Sequence, residues 1–285
     1  MKKSKYLLIL CMFIFGTIGL FRKQIDLPSS VLAMTRGFIG SIFILVFMRI
    51  KHLRVSIDNI KNNFIPIVLS GAFIGFNWIL LFEAYEYTTV AIATLCYYMA
   101  PILVIIASFF IFKEQITKKK AICILFAMIG MILVSGVFDS NQVIQLKGIL
   151  FGLGAAILYA SVILMNKGIK DIRAYDKTIV QLFVAAIVLI PYILLTEDVT
   201  SIQMDGISIA FILLVGIVHT GIAYALYFSS MKDLEAQTIA LYSYIDPCVA
   251  IFLSAFVLRE QLSLLGIVGA IIVLGSTLIS EMEGK

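Results

Sequence analysis

Charge is what this chain has least of. Only 14% of its 285 residues are Asp, Glu, Lys or Arg, against roughly 25% in a soluble globular domain. Its four cysteines, Cys11, Cys96, Cys123 and Cys248, all lie inside apolar runs without a CxxC spacing, and no HExxH occurs. Buried small thiols are therefore expected in place of a disulfide frame or a metal site. No phosphate-binding Gly-rich loop ending in Gly-Lys-Ser/Thr is present. That argues against a nucleotide-hydrolysing pump. No nucleophile–base pair marks an enzyme, and no cofactor is implied. Basic residues are not interleaved with aromatics, so no nucleic-acid surface is expected.

What fills the chain is apolar. Hydrophobic residues make up 61% of it, and the mean hydropathy is +1.06. They come in blocks of about 20 residues, the length of one helical bilayer crossing. Ten spans are predicted, at 6–21, 30–48, 64–84, 88–112, 119–137, 147–166, 178–195, 207–228, 237–257 and 262–280. The first follows Lys2, Lys3 and Lys5 like a signal peptide, but Arg22-Lys23 ends the run where a small-residue cleavage site would stand. It reads as a retained membrane helix. The lipid bilayer is thus the first partner expected.

Assigning the breaks alternately places Lys2, Lys3, Lys5, Arg49, Lys51, Arg54, Lys61, Lys113, Lys118, Lys119, Lys120, Lys167, Lys170, Arg173, Lys177, Lys232 and Lys285 on one side. These are seventeen basic residues, against four on the other side: Arg22, Lys23, Lys147 and Arg259. The positive-inside rule predicts a cytoplasmic-membrane protein with both termini in the cytoplasm.

The sequence also repeats. Shifted by 146 residues, 71–117 lies over 217–263 without a gap, with eleven identities. Among them are Gly75/Gly221, Tyr98/Tyr244, Pro101/Pro247, Ser108/Ser254, Glu114/Glu260 and Gln115/Gln261. Five spans per half is an odd number, so the second half must enter the membrane inverted. The expected fold is an all-α integral membrane protein of two inverted five-helix halves, 1–140 and 141–285. That is the plan of many secondary transporters.

On these residues the chain resembles the EamA-type carriers of the drug/metabolite transporter superfamily. The resemblance rests on Tyr98-Met99-Ala100-Pro101 leading to Lys113-Glu114-Gln115, and on Tyr244-Ile245-Asp246-Pro247 leading to Arg259-Glu260-Gln261. Each is followed by a Gly-bearing final helix. The resemblance implies a central cavity lined by the first four helices of each half, with alternating access to a small-molecule substrate and no ATP hydrolysis.

Polar groups at membrane depth are the candidate site. Arg36 is expected either to hold a substrate carboxylate or phosphate or to pair with Glu83. His219 and Asp246 could relay a coupling proton, or could fix one helix to another. Pro101 and Pro247 should kink their helices by freeing the carbonyls of Tyr97 and Ser243. Around them stand Tyr97, Tyr98, Tyr242 and Tyr244, with Asn77, Trp78, Tyr224 and Tyr227 on neighbouring spans, as cavity lining or as packing. Glu114 and Glu260 are expected to cap free amides at the start of the last helix of each half. Gly71-x3-Gly75 and Gly148-x3-Gly152 should allow close helix contact. Two cargoes follow: a carboxylate-bearing metabolite such as an amino acid at Arg36, or an organic cation in a cage of Asp246, Glu83 and the tyrosines.

Overall fold

The computed structural model describes residues 2–22, 24–88, 90–134, 146–198, 200, 204–257 and 264–281. Among them every regular element is a helix, as expected of backbone that must satisfy its own hydrogen bonds in lipid. The order is α1 (Lys2–Arg22), α2 (Ser29–Ile50), a short α3 (Ile57–Asn62), α4 (Phe64–Tyr87), α5 (Val90–Tyr97), α6 (Ala100–Ile111) and α7 (Lys118–Val134). Then come α8 (Leu146–Gly168), α9 (Ala174–Thr196), α10 (Gly206–Leu214), a π-helical segment (Val215–Ile222), α11 (Ala223–Ser230), α12 (Ala236–Tyr242), α13 (Ile245–Phe256) and α14 (Leu264–Glu281). Glu260 and its flanks Arg259 and Gln261 lie outside the described residues.

Among the described residues, six stretches are long and apolar enough to cross a membrane: Lys3–Phe21, Ser29–Ile50, Phe64–Tyr87, Leu146–Gly168, Ala174–Thr196 and Gly206–Asp233. The spans expected at 88–112 and 237–257 are each divided into two helices. Pro101 sits in the first turn of α6, where an absent amide proton removes no helical bond. At the first break the chain tightens, with the amides of Met99 and Ile102 donating to the carbonyls of Cys96 and Met99 at 3.1 Å each. At the second, Tyr244 N–H donates to the Leu241 carbonyl at 3.2 Å. The bends are real, but each proline opens a new helix and does not kink a continuous one.

The exterior is apolar as well as the core. Ile65, Phe110, Leu195 and Leu264 are exposed, while Gln181 and Gln237 are fully buried. Such an apolar exterior suits contact with lipid and would aggregate in water. Inside, α4 lies on α8 and α9, α2 on α9 and on the π-helical segment, α1 on α11 and α13, and α7 on α14. Small residues make this closeness possible. A Cβ on Gly75 would lie 2.8 Å from the Ala185 carbonyl oxygen, and one on Gly71 2.8 Å from that of Gln181. Gly148 and Gly152 likewise let α8 approach Thr88 and α5.

Glu114 caps a helix, but not the expected one. Lys113 turns the chain at φ 55°, and the Glu114 carboxylate then accepts from the amides of Ala236 at 3.0 Å and Gln237 at 3.3 Å. It therefore closes the start of α12, far away in sequence, and not the start of α7. Lys167 Nζ stands 3.5 Å from the same carboxylate. Lys120 pairs with Glu235 at 2.5 Å, and Ser4 donates to Asp233 at 2.6 Å. Four stretches of the chain, at 4, 114–120, 167 and 233–237, are thereby tied together at one end of the bundle.

Gly75→Ala is expected to destabilise the protein by about 1–3 kcal/mol, because rigid α9 backbone must move. Gly19→Ala, with nothing within 4 Å of its new Cβ, should be neutral or slightly stabilising. Thermal unfolding in one detergent compares the two directly. Equal effects would show that the α4–α9 contact is not close.

Candidate functional site

Arg36 lies two turns inside α2, and its guanidinium carbon is 4.6 Å from the centroid of the Trp78 ring on α4. Its Nε is buried and has no hydrogen-bond partner. Arginine stays protonated in proteins and offers five donors. The stack on Trp78 recovers part of the lost hydration but leaves N–H groups unused. Glu83 does not answer them. Its Oε1 accepts from the Tyr192 hydroxyl at 2.9 Å, and among the described residues Arg36 forms no ion pair.

Asp246 stands in the first turn of α13, half-buried. Among the described residues no side chain pairs with its carboxylate. Arg36 and Asp246 do not pair with each other. The rings of Tyr97 and Tyr98 lie with centroids 6.0 Å apart. Those tyrosines belong to an aromatic wall. Tyr97 stacks on Tyr159 with centroids 5.4 Å apart, and Tyr224 meets Phe15 edge-on at 5.3 Å and Trp78 at 6.5 Å. The Tyr159 and Tyr227 hydroxyls are 2.9 Å apart.

The other predicted residues are placed differently. His219 is 2% exposed, its Nε2 is 2.9 Å from Thr17 Oγ1, and Phe21 packs edge-on against its ring at 5.1 Å. Its Nδ1 is buried without a partner. Among the described residues no hydrogen bond links His219 to Asp246. Asn77 donates to the Ala155 carbonyl at 2.7 Å and so ties α4 to α8. Tyr242 is buried in the main core. Tyr244, also buried, donates its hydroxyl to the carbonyl of Tyr98, its repeat partner, at 3.2 Å. That carbonyl is free because the Ile102 amide turns to Met99 instead. Tyr244 therefore closes the α5–α6 break.

Two features were not singled out in the sequence. Tyr159 gave no signal beyond being one aromatic in a Gly- and Ala-rich helix. The π-helical turn around His219 did leave one: Gly216 and Gly221 are five apart, where α-helical contact would favour four. A Cβ on Gly216 would lie 2.5 Å from Ile39, and one on Gly40 3.0 Å from the Gly221 amide. Widening the turn brings both glycines against α2, and π-helical turns often accompany functional sites.

Comparison with known proteins places this arrangement. The model of the EamA-like transporter family matches residues 3–136 and again 146–282. The uncharacterized transporter YxxF of Bacillus subtilis (strain 168) is 32% identical over 252 residues, covering 86% of this chain and 79% of that protein. An uncharacterized transporter of Archaeoglobus fulgidus is 24% identical over 99% of this chain and 98% of its own length. Protein PecM of Dickeya dadantii is 24% identical over 75% of this chain and 72% of its own length. A protein of known crystal structure superimposes with a TM-score of 0.88 over 99% of this chain and 97% of that one. At 15% identity that likeness speaks for the fold alone. On the family match across both segments, this membrane protein belongs to the EamA-like transporter family.

Proposed function

We propose that the chain is a secondary carrier that moves a small carboxylate-bearing metabolite, an amino acid first among candidates, across the cytoplasmic membrane by alternating access. The observation that carries this reading is the buried Arg36, stacked on Trp78 beside Tyr224 and without an ionic partner among the described residues, together with Asp246, which likewise has none there. A charge at the bilayer centre costs about 2.5–3.5 kcal/mol on insertion scales, so both should face a wet or occupied interior. A zwitterion offers a carboxylate to the guanidinium fork and an ammonium to Asp246. Lacking a nucleotide loop, the chain would draw on an ion or substrate gradient. His219 on its widened turn is a candidate for coupling to a proton.

The proposed architecture is ten crossings in two inverted halves, 1–140 and 141–285. Element bounds support it: α7 and α14 begin at Lys118 and Leu264, α2 and α9 end at Ile50 and Thr196. Both pairs are separated by the 146 residues that also separate Tyr98 from Tyr244. The two family matches, one per half, support it as well. The alternative cargo, an organic cation, draws on Asp246 with Tyr97, Tyr98 and Tyr224. Glu83, the other carboxylate of that cage, accepts from the Tyr192 hydroxyl at 2.9 Å.

The two cargoes are separated by two variants, read by thermal shift against amino acids and choline, since ligands that bind the folded state stabilise it. For an amino acid, Arg36→Lys should weaken apparent affinity by about tenfold or more, because the bidentate geometry is lost while the charge stays. For an organic cation, Asp246→Asn should be severe and Arg36→Lys mild. Ligand binding that survives both changes would place the site elsewhere.

Topology has its own test. Reporters fused after Gly284 and inserted between Glu197 and Asp205 should lie on opposite sides of the membrane, the former in the cytoplasm. The same side for both would end the inverted-repeat reading.

A further inference from the structure

The turn between α8 and α9 borders a cavity of about 780 Å³ that also reaches α3 and the end of α11. Its wall carries five cationic side chains, Lys167, Lys170, Arg173, Lys177 and Lys232, and one carboxylate, Asp171. Two of the cations are already engaged. Arg173 Nε donates to Asp176 at 2.9 Å, and Lys167 stands by Glu114 and donates to the Leu234 carbonyl at 2.5 Å.

Lys177 is different. It is only 4% exposed, yet among the described residues no carboxylate pairs with it. Its ammonium donates once, to the Asn166 carbonyl at 3.2 Å, and sits 5.6 Å from the Phe228 ring centroid. An ammonium has three donors, and a buried charge is normally paired. Nor do Lys170 and Lys232, exposed at the mouth, form ion pairs among the described residues. The wall therefore holds a surplus of positive charge around a space far larger than one anionic group.

We propose that this cavity binds a phosphate-bearing anion, with Lys177 at its floor and Lys170 and Lys232 at its mouth. Several lysines around one point suit the multiple oxygens of a phosphate monoester or diester better than a single carboxylate. The residue pattern assigns this end to the cytoplasmic side, where anionic headgroups collect in basic pockets between membrane helices. A lipid headgroup and a soluble phosphate ester share this chemistry. The site shares no residue with the one at Arg36 and Asp246, so the two proposals stand or fall separately.

The test uses the full chain purified in a neutral detergent. Thermal unfolding is followed with dioctanoyl phosphatidylglycerol, dioctanoyl phosphatidylcholine or glycerol 3-phosphate added. Wild-type protein should be stabilised by phosphatidylglycerol and not by phosphatidylcholine, and the Lys170→Gln/Lys232→Gln variant should bind it at least about tenfold more weakly. Stabilisation by the lipid alone assigns a headgroup; stabilisation by glycerol 3-phosphate as well assigns a soluble ester. Either result supports the site provided the double variant loses it. Because both substituted lysines are exposed, the variant should fold, and its profile on size exclusion checks this. Equal response to the two lipids, an unchanged affinity in the double variant, or no stabilisation by any probe would overturn the proposal.

Discussion

Inside a bilayer no water is on hand to complete a hydrogen bond, so every polar group in the bundle must be answered by another part of the chain or by a ligand. Much of the interior follows from that. The Tyr98 carbonyl, released where α5 gives way to α6, is met by the Tyr244 hydroxyl. Asn77 is spent on Ala155. Gln181 donates to both Ser70 and Asn166 deep between α4, α8 and α9. Among the described residues a few buried atoms are left over, Arg36 Nε and His219 Nδ1 together with Thr88 Oγ1, Gln181 Oε1 and Gln237 Oε1; of the charged groups, Arg36, Asp246 and Lys177 have no ionic partner there.

Close packing and selective openness come from the same residues. Glycines on α4, on α8 and around His219 draw the long helices together, and dispersion and backbone contact replace the hydrophobic effect that lipid cannot supply. The two short helix pairs, α5–α6 and α12–α13, break where the long helices do not. Their breaks bring the tyrosines of the repeat toward one another. At one end, Glu114 ties the loop after α6 to the start of α12 while Lys167 of α8 stands beside it. Any motion that separates these elements must therefore break charge-assisted hydrogen bonds, which are among the stronger contacts available to a protein.

Much of this was written in the sequence because the bilayer imposes simple periods. Apolar blocks announced the long helices, and Tyr-x-x-Pro followed by Glu-Gln at a fixed spacing marked the elements around the breaks. Pairings across the fold were less legible. Glu114 is followed by α7 in sequence, so a local cap was the economical reading; only the folded bundle brings α12 to it. His219 and Asp246 looked like partners because both fall at mid-membrane depth. Depth does not fix the direction in which a helix points a side chain, and His219 turns to Thr17. The widened turn at Val215–Ile222 was hinted at by a five-residue glycine spacing that α-helical habit obscured. Lys177 was counted as one of many basic loop residues, whereas its burial depends on how α8, α9 and α11 pack.

The central claim is that the tyrosines beside Arg36 and Asp246 line a path that water and substrate can enter. It is tested most directly by placing a cysteine at Tyr97 in a chain whose Cys11, Cys96, Cys123 and Cys248 have been changed to alanine. A membrane-impermeant thiol reagent is then applied to right-side-out and inside-out vesicles. A carrier that alternates should be labelled at this position from both faces. A cysteine there that stays unlabelled from either face, while one at Lys170 reacts, would show that these aromatic residues are packing and not a path.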